Sequence, residues 1–185
     1  MSNHIVNNTP VNNNLDDNTP KIYVACLAAY NNGILHGEWL NASLEVEEIQ
    51  EKINQMLAIS PIEDAEEWAI HDFENFYDLS IGEYESIDDV HKKALFVVEH
   101  GELGATVMHY AEDLEAAREA LENYYQGEYE SERDFAIQFF DEHYLPGIPE
   151  NVRTYIDYQK FCREIFIGDC FSLEASGKTH VFWQH

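Results

Sequence analysis

Lys21-Ile22-Tyr23-Val24-Ala25-Cys26-Leu27-Ala28-Ala29-Tyr30-Asn31-Asn32-Gly33-Ile34-Leu35-His36-Gly37-Glu38-Trp39-Leu40 is the stretch that decides the fold class. Ile22 to Ala29 reads as a strand, Asn31-Asn32-Gly33 supplies residues that accept positive φ, and Ile34 to Leu40 resumes a second strand. A β-hairpin is expected. Ser43 then offers an N-cap for a helix with Val46, Ile49, Ile53 and Leu57 on one face and Glu45, Glu47, Glu48 and Glu51 on the others. Pro61 breaks that helix, and Glu67 to Phe73 reads as a third strand. A hairpin completed by a third strand after one helix points to an α+β class built on a small antiparallel sheet.

Outward from this stretch the pattern turns helical. Ser86-Ile87-Asp88-Asp89 resembles a capping box for a helix with Ile87, Val90, Ala94 and Val97 inward, ended by Gly101. A short helix is expected over residues 103–110 and another over 113–125, carrying Leu114, Ala117, Leu121 and Tyr124 inward. Glu112, Glu115, Glu119 and Glu122 form the outer stripe of the latter. On a regular helix they lie ~4.5–6 Å apart along the axis. Such like-charge pairs cost roughly 0.2–0.5 kcal/mol each. Ser131 caps a helix with Phe135, Phe139 and Phe140, and Pro146 to Pro149 forms a break. A helix runs through Ile165, and residues 170–175 and 179–183 read as strands joined by Ser176-Gly177. The expected organisation is a disordered Asn-rich tail (1–20), an N-terminal α+β module (21–75), a helical middle module (76–127) and a C-terminal α+β module (128–185).

The charge is one-sided. The chain has 36 Asp and Glu against 10 Lys and Arg, a formal net charge of −26. Residues 38–142 hold 29 acids and 5 bases, whereas residues 143–185 hold 5 and 4. Disordered acidic chains are poor in aromatics, and at 13% aromatic and 45% apolar this one is expected to fold. No apolar run is long enough for a membrane span. No basic region followed by an apolar core opens the sequence, so no secretory signal is expected. Cys26, Cys162 and Cys170 form no Cys-x-x-Cys pair and read as reduced packing residues.

Chemistry is sparse. There is no Gly-rich phosphate loop, Gly-x-Ser-x-Gly, His-Glu-x-x-His or calcium loop. His91, His100 and His109 recur every nine residues, which puts successive ones on opposite helix faces and argues against a metal cluster. His71-Asp72 could be half of an acid–base pair, and the abundant carboxylates leave a glycosidase-type pair open. Nothing marks the dry pocket that either needs, so no cofactor and no catalytic residue are expected. Direct DNA or RNA binding is disfavoured by the charge sign. Duplex DNA carries one charge per ~1.7 Å of axis, so 24 net charges match a duplex about 40 Å long. A folded anionic body of that scale could occupy a DNA-binding groove and take over its sequence-independent Lys and Arg contacts.

Three stretches carry a family resemblance: Lys21 to Gly33 with Gly37-Glu38-Trp39; Glu66-Glu67-Trp68-Ala69-Ile70-His71-Asp72-Phe73-Glu74; and Ile148-Pro149-Glu150 through Tyr155-Ile156-Asp157-Tyr158 with Arg163-Glu164. In this order they resemble the ArdA antirestriction proteins. The resemblance implies a non-enzymatic mimic of B-form DNA, carried by mobile genetic elements. Such a mimic occupies the DNA site of type I restriction-modification enzymes in the bacterial cytoplasm. It also implies three modules in an elongated, curved body and a homodimer formed through the near-neutral C-terminal module. The candidate phosphate surrogates are Glu47, Glu48, Glu51, Glu66, Glu67, Asp72, Glu74, Asp88, Asp89, Glu112, Glu115, Glu119 and Glu122. The candidate dimer residues are Phe135, Phe139, Tyr144 and Tyr155, each of which could equally belong to the module's own core. Two other classes share the composition: an acidic adaptor that binds a basic protein without imitating DNA, and an acidic hydrolase. DNA competition separates the first from a mimic. The second would lose all activity on one carboxylate substitution.

Overall fold

A computed structural model of the protein describes residues 17–184. It is an α+β fold with two separate three-stranded antiparallel sheets, ordered β2-β1-β3 and β4-β6-β5. The chain divides into two compact units: residues up to Phe76 with Ser80–Val98, and Tyr77–Leu79 with Glu99–His185. The residues expected as a middle module, 76–127, are thus shared between them.

In the first unit β1 (Lys21–Cys26) pairs with β2 (Gly37–Asn41) and with β3 (Trp68–Glu74). Ile22, Val24, Ala25 and Cys26 are buried. Gly37 lies so close to β1 that a Cβ there would meet the Val24 carbonyl oxygen at 2.5 Å. The connection from β1 to β2 is not the simple hairpin turn expected. Leu27–Asn31 forms a one-turn helix, α1, because the Cys26 Sγ caps the Ala29 N–H at 3.5 Å and Leu-Ala-Ala favours the helix. A bulge in β3 leaves His71 without a partner residue on β1, and its ring meets Tyr30 edge-on at 4.6 Å.

Helix α2 (Val46–Ala58) buries Ile49, Ile53 and Met56 and turns its glutamates outward. Its N-cap is Glu45, without a side-chain bond. The expected cap, Ser43, is instead held by Asn41, whose Oδ1 accepts from both the Ser43 N–H and its hydroxyl. Of the expected tail, residues 1–16 lie outside the described residues, but the last four are tied down. The Asn75 side-chain amide donates to the carbonyls of Asp17 and Thr19, the Ala42 N–H donates to that of Pro20, and Pro20 is buried.

Helix α3 (Ile87–Ala111) opens on Ser86, whose Oγ accepts from the Asp89 N–H. Gly101 interrupts it with φ 60° and ψ −146°. The second unit continues with α4 (Leu114–Glu119) and a π-helical turn over Ala120–Tyr124. Strand β4 (Tyr125–Tyr129) follows, and it spans the boundary expected between residues 127 and 128. Helix α5 (Glu132–His143) is capped by Ser131, and the short α6 (Glu150–Arg153) precedes α7 (Tyr158–Gly168), capped by Asp157. The chain ends in β5 (Cys170–Ala175) and β6 (Lys178–Trp183). Ser176 and Gly177, both at positive φ, join them in the manner of a two-residue hairpin. Phe135, Ala136, Ile165, Cys170 and Val181 form one core cluster of this unit, with Phe139, Phe161, Phe166 and Trp183 packed on it.

Candidate functional site

The acidic side chains follow from how each element uses its faces. Burying one face of α2 leaves Glu47 and Glu51 exposed and Glu48 half-buried. Glu66 and Glu67 are exposed just before β3, and Asp72 and Glu74 are exposed on it, two residues apart on one face. Asp88 and Asp89 occupy the exposed first turn of α3. In the second unit Glu112, Glu115, Glu119 and Glu122 are all exposed.

Those last four do not form one regular helical stripe. Asp113 caps α4 through the Ala116 N–H at 2.8 Å, and its extended backbone interrupts the helix. Glu112 therefore sits outside any helix, at φ 56°. Glu122 lies in the wider π turn. Only Glu115 and Glu119 keep the expected four-residue spacing on one α-helix.

Few of these charges are compensated. Among the described residues, six Lys or Arg side chains lie within 4 Å of a carboxylate: Lys21–Glu74, Lys92–Asp88, Lys93–Glu85, Arg118–Glu99, Arg163–Glu164 and Lys178–Glu130. Glu74 and Asp88 are thus locally neutralised, and Asp89 accepts from the Ser86 hydroxyl at 2.6 Å. The other ten candidates are in none of these pairs. Most of the ten bases are already spent, so the anionic excess cannot be cancelled within the chain.

Individual neighbours and burial shift several phenols. A hydrogen bond to Glu83 holds the Tyr84 phenol above its ordinary pKa, and a 2.5 Å bond to Asp141 does the same for Tyr158. Tyr124 is raised by burial and then by Glu119. Lys178 is raised in turn by its hydrogen bond to Glu130.

Other exposed carboxylates qualify equally, including Glu38 on β2 and Glu128 on β4. The alternation of Glu128 with Gly127 and Tyr129 was a usable signal for a strand face.

Of the dimer candidates, Phe135 is only 2% exposed and is the centre of its unit's own core, so it offers nothing to a second chain. Phe139 is half-buried between Phe135, His143 and Trp183. Tyr144 and Tyr155 are exposed, Tyr155 at 84%.

Two clefts open in the second unit. One of about 600 Å³ carries Glu164 and Asp169, both exposed, beside Phe139, Phe161 and Trp183. The other, of about 380 Å³, is lined by Tyr110, Tyr124, Phe171 and Trp183 with small aliphatic residues, and by Glu119. An acid–base pair needs a dry site that separates two carboxyl pKa values, and these exposed carboxylates do not have one. Among the described residues, no three His, Cys, Asp or Glu side chains are placed to hold a metal ion. Burial pushes the Cys170 thiol up to about 12, away from nucleophilic thiolate. No helix among the described residues is long and apolar enough to cross a membrane.

The family model described as "Antirestriction protein (ArdA)" matches residues 22–178, most of the chain. A comparison with curated proteins gives no match.

Proposed function

The chain belongs to the ArdA antirestriction family, whose members act on type I restriction-modification enzymes, and from that premise we propose that it inhibits them as a decoy of duplex DNA. The observation that supports this reading is the set of exposed carboxylates left without a cationic partner on α2, before and on β3, and around α4. A DNA-binding groove is lined by Lys and Arg that gain from neutralising phosphates. Fixed carboxylates offer it the same gain, with less conformational entropy lost because the fold already holds them.

The decoy cannot supply the base edges on which sequence readout depends. It therefore engages only the sequence-independent part of the groove, and needs no chemistry of its own. Its target acts in the bacterial cytoplasm, so the decoy works there. The exposed Tyr144 and Tyr155, in the near-neutral segment 143–185, are the surface on which a homodimer would form with least repulsion.

The test is displacement of a fluorescent duplex from a purified type I enzyme, followed as a function of salt. Displacement that weakens steeply from low to high salt supports the decoy. Binding without displacement identifies an acidic adaptor instead.

A further inference from the structure

We propose that the 380 Å³ cleft beside α4 receives an arginine side chain of the target protein and acts as an anchor point. This rests on the decoy reading and narrows it from a diffuse charge match to one geometric site. The cleft is lined by the rings of Tyr110, Tyr124, Phe171 and Trp183, with Glu119 as the one carboxylate among its lining residues.

Tyr110 is 57% exposed and stacks on Phe171 at 4.8 Å and 18°, and Phe171 stacks on Phe182 at 5.1 Å and 13°. The three rings form a stacked column whose exposed end is Tyr110, with Glu119 as a carboxylate in the same cleft. Glu119 and Tyr124 are five residues apart, the spacing that a π turn brings to one side of a helix. The Tyr124 hydroxyl accordingly donates to Glu119 Oε1 at 3.4 Å.

The occupant follows from these features. A guanidinium is planar, sheds water more readily than an ammonium, stacks on aromatic faces and bonds a carboxylate through a rigid fork. The volume lies at the low end for ligand clefts and suits one long side chain. Glu112 and Glu115 adjoin the lining residues Ala111 and Ala116, and they repel a phosphate or carboxylate ligand. A purely apolar occupant would leave Glu119 unused.

The test has two arms. N-acetyl-arginine amide is titrated into isotope-labelled protein while the Trp183 indole N–H is followed by NMR. A saturable shift is expected, lost in Glu119→Gln and absent with the neutral citrulline analogue. In the displacement assay, Glu119→Gln is expected to weaken inhibition at least about tenfold, as for a hydrogen bond to a charged group. Tyr110→Leu should weaken it by about two- to thirtyfold, as for loss of cation–π stacking. Glu122→Gln, outside the lining, should stay within about fivefold. Thermal unfolding of each variant shows that the fold is kept.

An equal response to arginine and citrulline, or equal losses for Glu119→Gln and Glu122→Gln, would overturn the anchor and leave the decoy standing. Should the unsubstituted chain fail to displace DNA, the decoy falls, and the arginine titration alone still decides the cleft.

Discussion

Replacing Glu51 by Gln should stabilise the protein and weaken its inhibition at the same time. Glu51 stands on the exposed side of α2, four residues after Glu47 and three after Glu48. Those two occupy the first turn, where the helix dipole favours an anion; Glu51 is past it. Its charge therefore enters mainly as two like-charge pairs, each costing about 0.2–0.5 kcal/mol. Removing it returns about 0.4–1 kcal/mol. Gln has nearly the helix propensity of Glu, and the bond from Gln55 Nε2, 3.2 Å from Glu51 Oε1, survives because an amide oxygen also accepts.

For a chain of this length the unfolding midpoint should rise by about 1–4 °C. Against the groove, loss of one exposed ion pair costs about 0.2–1 kcal/mol, so inhibition should weaken by about 1.4- to 5-fold at low salt. Near 1 M salt, where screening acts over about 3 Å, that difference should vanish. Adding Glu67→Gln and Glu115→Gln, which share no partner with Glu51, should roughly triple the free-energy loss. Thermal unfolding and duplex displacement are measured on the same samples. The reasoning is refuted if Glu51→Gln destabilises by more than about 0.5 kcal/mol, which would make the carboxylate structural. It is equally refuted if the triple variant inhibits as before at low salt, or if Glu51→Gln alone abolishes inhibition.

Three further outcomes are expected. Gly101→Ala forces a side chain into a backbone region open essentially to glycine, so urea unfolding should show a loss of about 1–3 kcal/mol even though the added Cβ meets no atom within 4 Å. Phe135→Ala should cost about 3–5 kcal/mol as a core truncation, whereas Tyr155→Ala should leave unfolding within about 0.5 kcal/mol and, on the proposed homodimer, lower the sedimentation coefficient. Tyr158 has a folded pKa raised above its unfolded value near 10, so its stabilisation is complete below about pH 10 and is lost as pH rises through the raised value. Alkaline unfolding of Tyr158→Phe should accordingly lack that part of the loss seen in the parent chain.

Much of the framework was legible because it is local. Ser86 and Ser131 cap the helices they precede, and Ser176-Gly177 joins β5 to β6. What escaped the sequence depended on partners far along the chain or on a local competition. The apolar run of β1 continues through Leu27-Ala28-Ala29 and reads as strand, yet a thiol cap turns it into α1. Strand β4 pairs with β6 some 50 residues later, and Gly127, at φ 119°, sits at a bulge inside this strand where the sequence suggests a module boundary. The surface acids were countable, but their pairing was not. Glu74 meets Lys21 only because β1 and β3 align; the Asp88–Lys92 pair is the exception, a local one four residues apart on one helix.

The physical arrangement explains how a chain this acidic can fold and still keep its charge available. On α2 the residues that bury apolar surface, Ile49, Ile53 and Met56, are separate from the carboxylates that repel one another. On β3 the buried Ala69 and Ile70 precede the exposed Asp72 and Glu74 in the same way. Burial of each such apolar side chain contributes on the order of 1.5–3 kcal/mol, several times the penalty of a like-charge pair on the surface. The fold therefore tolerates the repulsion without neutralising it, and the proposed decoy needs that field left uncompensated. A surface tuned for its own stability would intersperse Lys among these glutamates, and every Lys added would remove part of the attraction on which such a decoy depends.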